Sequence, residues 1–335
     1  MTSIEIPQGY KSLLNLYETQ IAIGQLKRIF EDSLAQALNL KRVSAPLFVE
    51  HHTGLNDDLT GVERPVEFEI KASKQNVQIV HSLAKWKRMA LKKYDFPVGE
   101  GIYTDMNAIR RDDDMDNTHS VYVDQWDWEK VIDLETRNVE TLRNAVTLIA
   151  KSIYDTSEKI KKFFPALNIQ INPNVKFITA QELENMYPEM TADDREHTIT
   201  KEYGTVFVMA IGNKLKSGDY HGNRAPDYDD WSLNGDLLYW SNVLNKAIEL
   251  SSMGIRVDSA VLDSQLNIAN CNNRRSFEYH KMLLENKLPL TMGGGIGQSR
   301  LSMLLLQKAH VGEVQVSVWD TETVASCIKS KIELL

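Results

Sequence analysis

Cysteine is almost missing from this chain of 335 residues, with Cys271 and Cys327 the only two. That excludes a disulfide framework and suits a reducing compartment, and no Cys/His spacing suggests zinc. Long apolar runs are missing too, since none approaches the ~20 residues of a membrane helix. The opening MTSIEIPQGYKSLLN has no basic-then-apolar signal pattern. These absences predict a cytoplasmic protein with no membrane partner. Basic charge is in deficit: 38 Lys and Arg face 46 Asp and Glu, a formal charge of −8, which argues against a broad nucleic-acid surface. No Pro/Gly/Ser-rich linker, low-complexity tract or repeat interrupts the chain. A single domain over 1–335 is expected, long enough to bury a sizeable core.

What is present is a concentration of glycine. TMGGGIGQSRLSMLLLQ, Thr291–Gln307, places four glycines in five positions. A P-loop is excluded because no lysine follows before Lys308. In a dinucleotide fingerprint the third glycine slot would hold Gln298 or Arg300. The glycines still permit positive φ or close approach of backbone to a ligand or another chain. Arg300 then projects from the first turn of an apolar helix beginning near Gln298. The plainer alternative is a tight strand-to-helix turn packed for its own sake.

Apolar residues at helical spacing from about Tyr10 to Leu38 (Leu13, Leu16, Ile23, Leu26, Phe30, Leu34) predict a long first helix. KRVSAPLFVE follows as a short β-rich piece in which Pro46 breaks any helix. VEFEI and VQIVHS alternate like hairpin arms, and AKWKRMALKK is helical. GIYTDMNAIR and HSVYVDQWDWE read as strands around a charged loop. A helix is expected from roughly Glu135 to Phe163, then β-type runs at VKFITA, TVFVMAIG, DLLYWS and AIELSSMGIRV. Helices near Ser259–Ala269 and Phe277–Glu285 precede the glycines. Strands joined by short loops favour an antiparallel sheet with helices around it, an α+β pattern and not a doubly wound one.

Three pieces, in order, resemble the signature motifs of class II aminoacyl-tRNA synthetases. The helix leading into RVSAPLFVE with Pro46 resembles the first (10–50). NAIRRDDDMDNTHSVYVDQWDW with Arg110 resembles the second (100–130), and GGGIGQSRLSMLLL with Arg300 the third (291–307). Ser299 departs from the pattern, because the residue before that arginine is often acidic. HSLAKWKR, GEGIYTDMNAIR, HSVYVDQWDW, RAPDYDDW, LNGD and ELSSMGIRV narrow the resemblance, over essentially the whole chain up to its last strand, to the ammonia-dependent asparagine synthetases, or aspartate–ammonia ligases. The resemblance implies a class II synthetase-like core, an antiparallel sheet flanked by helices, and a homodimer formed through the first motif. It also implies a reaction: L-aspartate, ATP and ammonia give L-asparagine, AMP and pyrophosphate through a β-aspartyl adenylate, with Mg²⁺.

By the same resemblance Arg110 holds the α-phosphate, a task suited to a guanidinium that grips oxygens bidentately; the residues alone also describe a strand-end salt bridge to Asp112–Asp114. Arg300 would lie against adenine or near the triphosphate, with Gly295 and Gly297 in the floor of the ATP site. Ser82 and Lys87, five apart, resemble the aspartate-binding segment of aspartyl-tRNA synthetases, so Lys87 would recognise a substrate carboxylate. Lys85 and Arg88 beside it equally describe a solvated basic face. Asp57, in a polar loop with Gly54, Asp58 and Gly61, is by type a turn former. The resemblance gives it the ammonium group of aspartate, or incoming ammonium whose proton it takes. Gln125, both donor and acceptor, and Asp229, partner of the aspartate amino group, would contact substrate, while of Asp227 and Asp230 at least one is structural. Arg224 would reach a phosphate or lie on the surface. Glu249, ahead of Asp236, would hold Mg²⁺, which uses one or two carboxylates plus phosphates. Ser252 would donate to a substrate oxygen or simply bond backbone. His81 and His119 suit acid/base work or contact with backbone or nucleotide.

Three rival readings are weaker. A tRNA-charging enzyme needs an anticodon-binding domain, and the motifs already fill residues 46–310. An inactive paralogue would have lost Arg110, Arg300 or Glu249. A glutamine-dependent enzyme needs a nucleophilic cysteine, yet Thr2 follows Met1 and Cys271 lies in NIANCNNRR without an obvious base. Free ammonia is the expected nitrogen donor.

Overall fold

Asn15 decides where the first helix begins. Its side chain accepts from the Glu18 N–H while Glu18 reaches back to the Asn15 N–H, a capping box that satisfies first-turn donors. Helix α1 therefore spans Leu16–Leu38, starting later than Tyr10. The computed structural model describes residues 4–57, 59 and 63–335; Thr2, Asp58 and Gly61 lie outside the described residues. After α1 come β1 (Leu40–Arg42), β2 (Phe48–Glu50), β3 (Glu67–Ile70), β4 (Gln75–Ile79), α2 (Ala84–Lys93), β5 (Gly101–Ile109) and β6 (Tyr122–Val131). Next are α3 (Val139–Phe163), β7 (Lys176–Thr179), α4 (Ala180–Met186), α5 (Ala192–Tyr203), β8 (Thr205–Met209), β9 (Asp229–Ser241) and β10 (Lys246–Arg256). The chain continues through α6 (Ser259–Ile268), α7 (Glu278–Leu284), β11 (Thr291–Gly297), α8 (Gln298–Leu305) and α9 (Thr321–Lys329). Asn138 caps α3, which moves its start past Glu135.

The main sheet runs β1-β5-β6-β11-β10-β9-β8-β7, and β2-β4-β3 form a small second sheet containing the expected hairpin. Interior pairs of the main sheet are antiparallel. Its edges are not: β1 pairs with β5 and β7 with β8 in parallel, so the sheet is mixed where an antiparallel one was expected. The parallel β7–β8 edge needs a crossover, which α4 and α5 supply. Neither helix was foreseen, because α5 buries only Arg195, Ile199 and Thr200 and shows no apolar stripe. The last element is helix α9, not a strand.

Alternation along β6 separates the two faces of the sheet. Trp126 and Trp128, both 0% exposed, join the main core with Phe30 and Leu34 of α1, Ile149 and Ile153 of α3 and Leu301 of α8. Phe30 lies 4.8 Å from Trp126, ring to ring. Burying each such side chain contributes about 1.5–3 kcal/mol. Gln125, Asp127 and Glu129 point the other way. That face carries the site.

Candidate functional site

A cavity of about 810 Å³ opens on the polar face, lined by Asp57, Ser82, Arg110, Gln125, Asp127, Arg224, Asp229, Glu249, Ser252, Arg256, Gly295, Gly297 and Arg300 among others. The fold thus gathers residues spread over more than two hundred positions. A bulge in β10 helps. The register with β9 slips between Glu249 and Ser251, so Glu249 and Ser252, three apart, both line the cavity; without the extra residue they would face opposite sides.

The floor is a buried ion network in which, among the described residues, Asp127 Oδ2 alone of the Asp127 oxygens lacks a hydrogen-bond partner. Arg256, 3% exposed, donates from Nη2 to Glu129 at 2.7 Å and from Nη1 to Asp229 at 2.5 Å. Thr291 Oγ1 also donates to Glu129, at 2.7 Å. Lys87 is fully buried, with Nζ on Asp127, on the Trp128 carbonyl (2.9 Å) and on the Gly294 carbonyl (3.3 Å). Burial pushes the Lys87 ammonium below its ordinary range, against the pull of Asp127 and Glu129. Burial alone would raise Glu129, yet Arg256 and Lys87 beside it hold it low. The basic face of α2 is therefore not solvated: Lys85 bonds Asp227, and Arg88 donates to the carbonyls of Pro289 and Val257. Asp227, 0% exposed, also takes Arg274 and His280 at 2.9 Å each, a structural arrangement. Asp230 accepts from Arg137.

The rim differs. Arg110 donates through Nε and Nη2 to the His81 carbonyl at 3.3 and 3.2 Å, while Asp112 takes Arg64 instead. Arg300 donates to the carbonyls of Thr118 (3.4 Å) and Glu249 (3.0 Å), with the Glu249 carboxylate 3.8 Å from Nη1. Arg224, half-buried and not on the open surface, grips Asp236. Burial raises the Asp236 carboxyl even so. Asp57 is 3% exposed, and burial raises its carboxyl, Lys85 lowering it and Asp227 raising it in turn. Ser82 Oγ accepts from the Ala84 N–H. His81 Nδ1 lies 3.0 Å from the Asp57 carbonyl while its Nε2 is buried without a hydrogen-bond partner among the described residues, and His119 sits against Asp116.

The glycines serve close approach. None of Gly293, Gly294, Gly295 and Gly297 has positive φ, so that part of the sequence argument does not apply. A Cβ at Gly293 would collide with the Glu129 carboxylate, and one at Gly295 with the Gln125 amide. Bare backbone lets those side chains lie across β11. The stretch is a sheet strand leading directly into α8, not a turn.

Sequence reasoning missed Asp127, Glu129 and Arg256. Their signal was available: in DQWDWE, Gln125, Asp127 and Glu129 recur at the period of one strand face. Arg256, next to last in the ELSSMGIRV string, had no such local mark.

The family described as aspartate-ammonia ligase matches residues 17–331. An aspartate–ammonia ligase of Clostridium perfringens (strain 13 / Type A) is 57% identical over 340 residues, covering 100% of both chains. One of Clostridium tetani is 58% identical, covering 98% of this chain and 97% of its own. By structure, asparaginyl-tRNA synthetase of Entamoeba histolytica aligns at a TM-score of 0.64 and 14% identity, over 90% of this chain and 67% of that one. The Pyrococcus horikoshii asparaginyl-tRNA synthetase complexed with asparaginyl-adenylate aligns at 0.64 and 16%, over 89% and 68%. At such identities the likeness shows the fold alone, that of the class II synthetases.

Proposed function

The chain belongs to the aspartate–ammonia ligase family, and from that premise we propose how its cavity makes asparagine. The enzyme joins ammonia to L-aspartate at the expense of ATP. A carboxylate is a poor electrophile, so its oxygen must first become part of a leaving group. The β-carboxylate oxygen attacks the α-phosphorus and the bond to pyrophosphate breaks, leaving β-aspartyl adenylate. The ammonia lone pair then attacks the carbonyl carbon, AMP departs, and the surplus proton passes to a carboxylate, a role this reading gives to Asp57.

Arg110 holds the α-phosphate and meets charge as it develops there. Arg300 lies on the nucleotide, Arg224 reaches a phosphate, and Gly295 and Gly297 supply the floor. Ser82, Gln125, Asp229 and Ser252 orient aspartate, Asp229 from within the ion network. Lys87, expected to recognise a substrate carboxylate, lies behind the cavity lining with its three donors on Asp127 and the carbonyls of Trp128 and Gly294, and supports that surface from beneath. Among the described residues no group of three or more His, Cys, Asp or Glu forms a metal cage, but Mg²⁺ asks for less. The Glu249 side chain is 42% exposed to the cavity, and Asp236 lies on the neighbouring strand. Glu249 would hold Mg²⁺, and Asp236, outside the cavity lining and paired with Arg224, would join it once Arg224 turns to a phosphate. The ion would supply charge neutralisation at the phosphates.

The observation that carries this reading is the pair of cavity arginines, Arg110 and Arg300, whose hydrogen bonds among the described residues go to backbone carbonyls. Their remaining donors are available to an anionic ligand.

The same reading covers the whole chain as one catalytic domain, a homodimer in the cytoplasm. Leu13, Leu16, Tyr17 and Ile21 leave an apolar strip exposed at the start of α1, which suits a second copy. Among the described residues no helix is long and apolar enough to cross a membrane.

The test is aspartate-dependent exchange of labelled pyrophosphate into ATP with Mg²⁺, without ammonia or tRNA, followed by ammonium. Exchange, then asparagine and AMP, is expected. Exchange with no asparagine would put tRNA charging first. Silence both there and in the full reaction mixture would remove the adenylate reading.

A further inference from the structure

Ser299 stands where an acidic residue was expected, and the structure places a carboxylate against it from another strand. Asp124, third residue of β6 and 8% exposed, accepts at Oδ1 from the Ser299 N–H (3.1 Å) and Gln315 Nε2 (3.2 Å). At Oδ2 it accepts from Ser299 Oγ (2.8 Å) and Lys27 Nζ of α1 (3.3 Å). Gln315 Nε2 lies 3.0 Å from the same Ser299 hydroxyl, and Ser120 Oγ donates to Gln315 Oε1 at 2.5 Å. A carboxylate offers about four acceptor sites, and protein donors take all four. Asp124 therefore lines the cavity with nothing left to offer a ligand.

Helix α8 has no cap of its own. Its N-cap is Gly297, with no side-chain hydrogen bond, and first-turn N–H groups need an acceptor. Asp124 supplies one from β6, at the end of the helix where negative charge is favoured. The residue after Ser299 is Arg300, whose guanidinium spans from the Thr118 carbonyl to the Glu249 carbonyl.

We propose that Asp124 is a positioning residue for Arg300: by bonding the Ser299 N–H and hydroxyl, and anchored by Lys27 and Gln315, it sets the head of α8 so that the arginine enters the nucleotide pocket. The proposal rests on the reading of Arg300 as a nucleotide contact.

The test compares Asp124→Ala, Ser299→Ala, Arg300→Ala and the Asp124→Ala/Arg300→Ala and Ser299→Ala/Arg300→Ala pairs, with separate KM values for ATP and aspartate. Asp124→Ala should raise the KM for ATP about tenfold, the scale of one lost charge-assisted hydrogen bond, and leave that for aspartate within about twofold. Ser299→Ala, which keeps the N–H contact, should move the same way by less, and it carries the test if Asp124→Ala does not fold. In the Arg300→Ala background the change at residue 124 or 299 should add under about twofold, since groups acting through one another are not additive. Multiplying effects, or a loss of thermal stability with KM for ATP unchanged, would overturn the proposal while leaving the role of Arg300 intact. An Arg300→Ala enzyme with normal KM for ATP would instead remove the nucleotide reading, and the proposal with it.

Discussion

At the floor of the cavity Arg256 is enclosed by Glu129 and Asp229 at 3% exposure, whereas at the rim Arg110 touches one backbone carbonyl. Both are arginines within one pocket. The difference lies in what has already answered their charge. A buried guanidinium matched by carboxylates is committed to holding strands β6, β9 and β10 in place. Among the described residues Arg110 donates only to a carbonyl, with the Asp57 and Asp113 carboxylates near enough to feel its charge but not hydrogen-bonded to it, so its remaining donors stay open to the cavity. Burial and partner type, more than residue identity, separate the groups that shape this site from those that act in it.

The largest effect should come from breaking the floor. Arg256→Ala leaves Glu129 and Asp229 buried without their cation, a loss of about 3–5 kcal/mol, to be read as a fall in urea midpoint together with lost activity. Arg110→Ala should do the reverse, leaving the urea midpoint nearly unchanged and lowering turnover about 10²–10³-fold, as for removal of one preorganised donor. Equal loss of stability in both variants would erase the distinction. The smallest effect is at Asp57. Its carboxyl is raised in the fold, so the native state binds the proton more tightly than the unfolded chain. That stabilisation is present below the ordinary value of 3.8 and disappears as pH rises through the native value. Asp57→Asn, which keeps an acceptor for the Leu59 N–H, should therefore be more stable than the parent at pH 7 and lose that gain as the pH falls to the ordinary carboxyl value. Turnover should fall in the same variant, and denaturation at both pH values with an ammonium titration measures the two together.

Much of this was legible beforehand. AKWKRMALKK became α2 residue for residue, and the helix begins at Gln298 as its apolar run implied. The strand readings of GIYTDMNAIR and HSVYVDQWDWE correspond to β5 and β6, and the motif arginines do share a cavity. What stayed hidden depended on partners distant in the chain. Nothing near Lys85, Lys87 or Arg88 announces Asp227, Asp127 or the carbonyls of Pro289 and Val257, so a basic helix face looked solvated. Parallel edges escaped notice because α5 is nearly all polar. Asp124 carried no sequence signal, because the residue it serves, Ser299, lies 175 positions away.

Strand β11 has a consequence for how the molecule comes into being on the ribosome. It lies between β6 and β10 in the sheet, yet β6 ends at Val131 and β11 begins at Thr291. Until that stretch emerges, β1-β5-β6 and β7 to β10 are two half-sheets, each with an unpaired inner edge. Such edges recruit other chains, and a closure this distant in sequence is slow. The glycine strand is the last seam to close, and it is the moment when a nascent chain acquires both its core and its pocket.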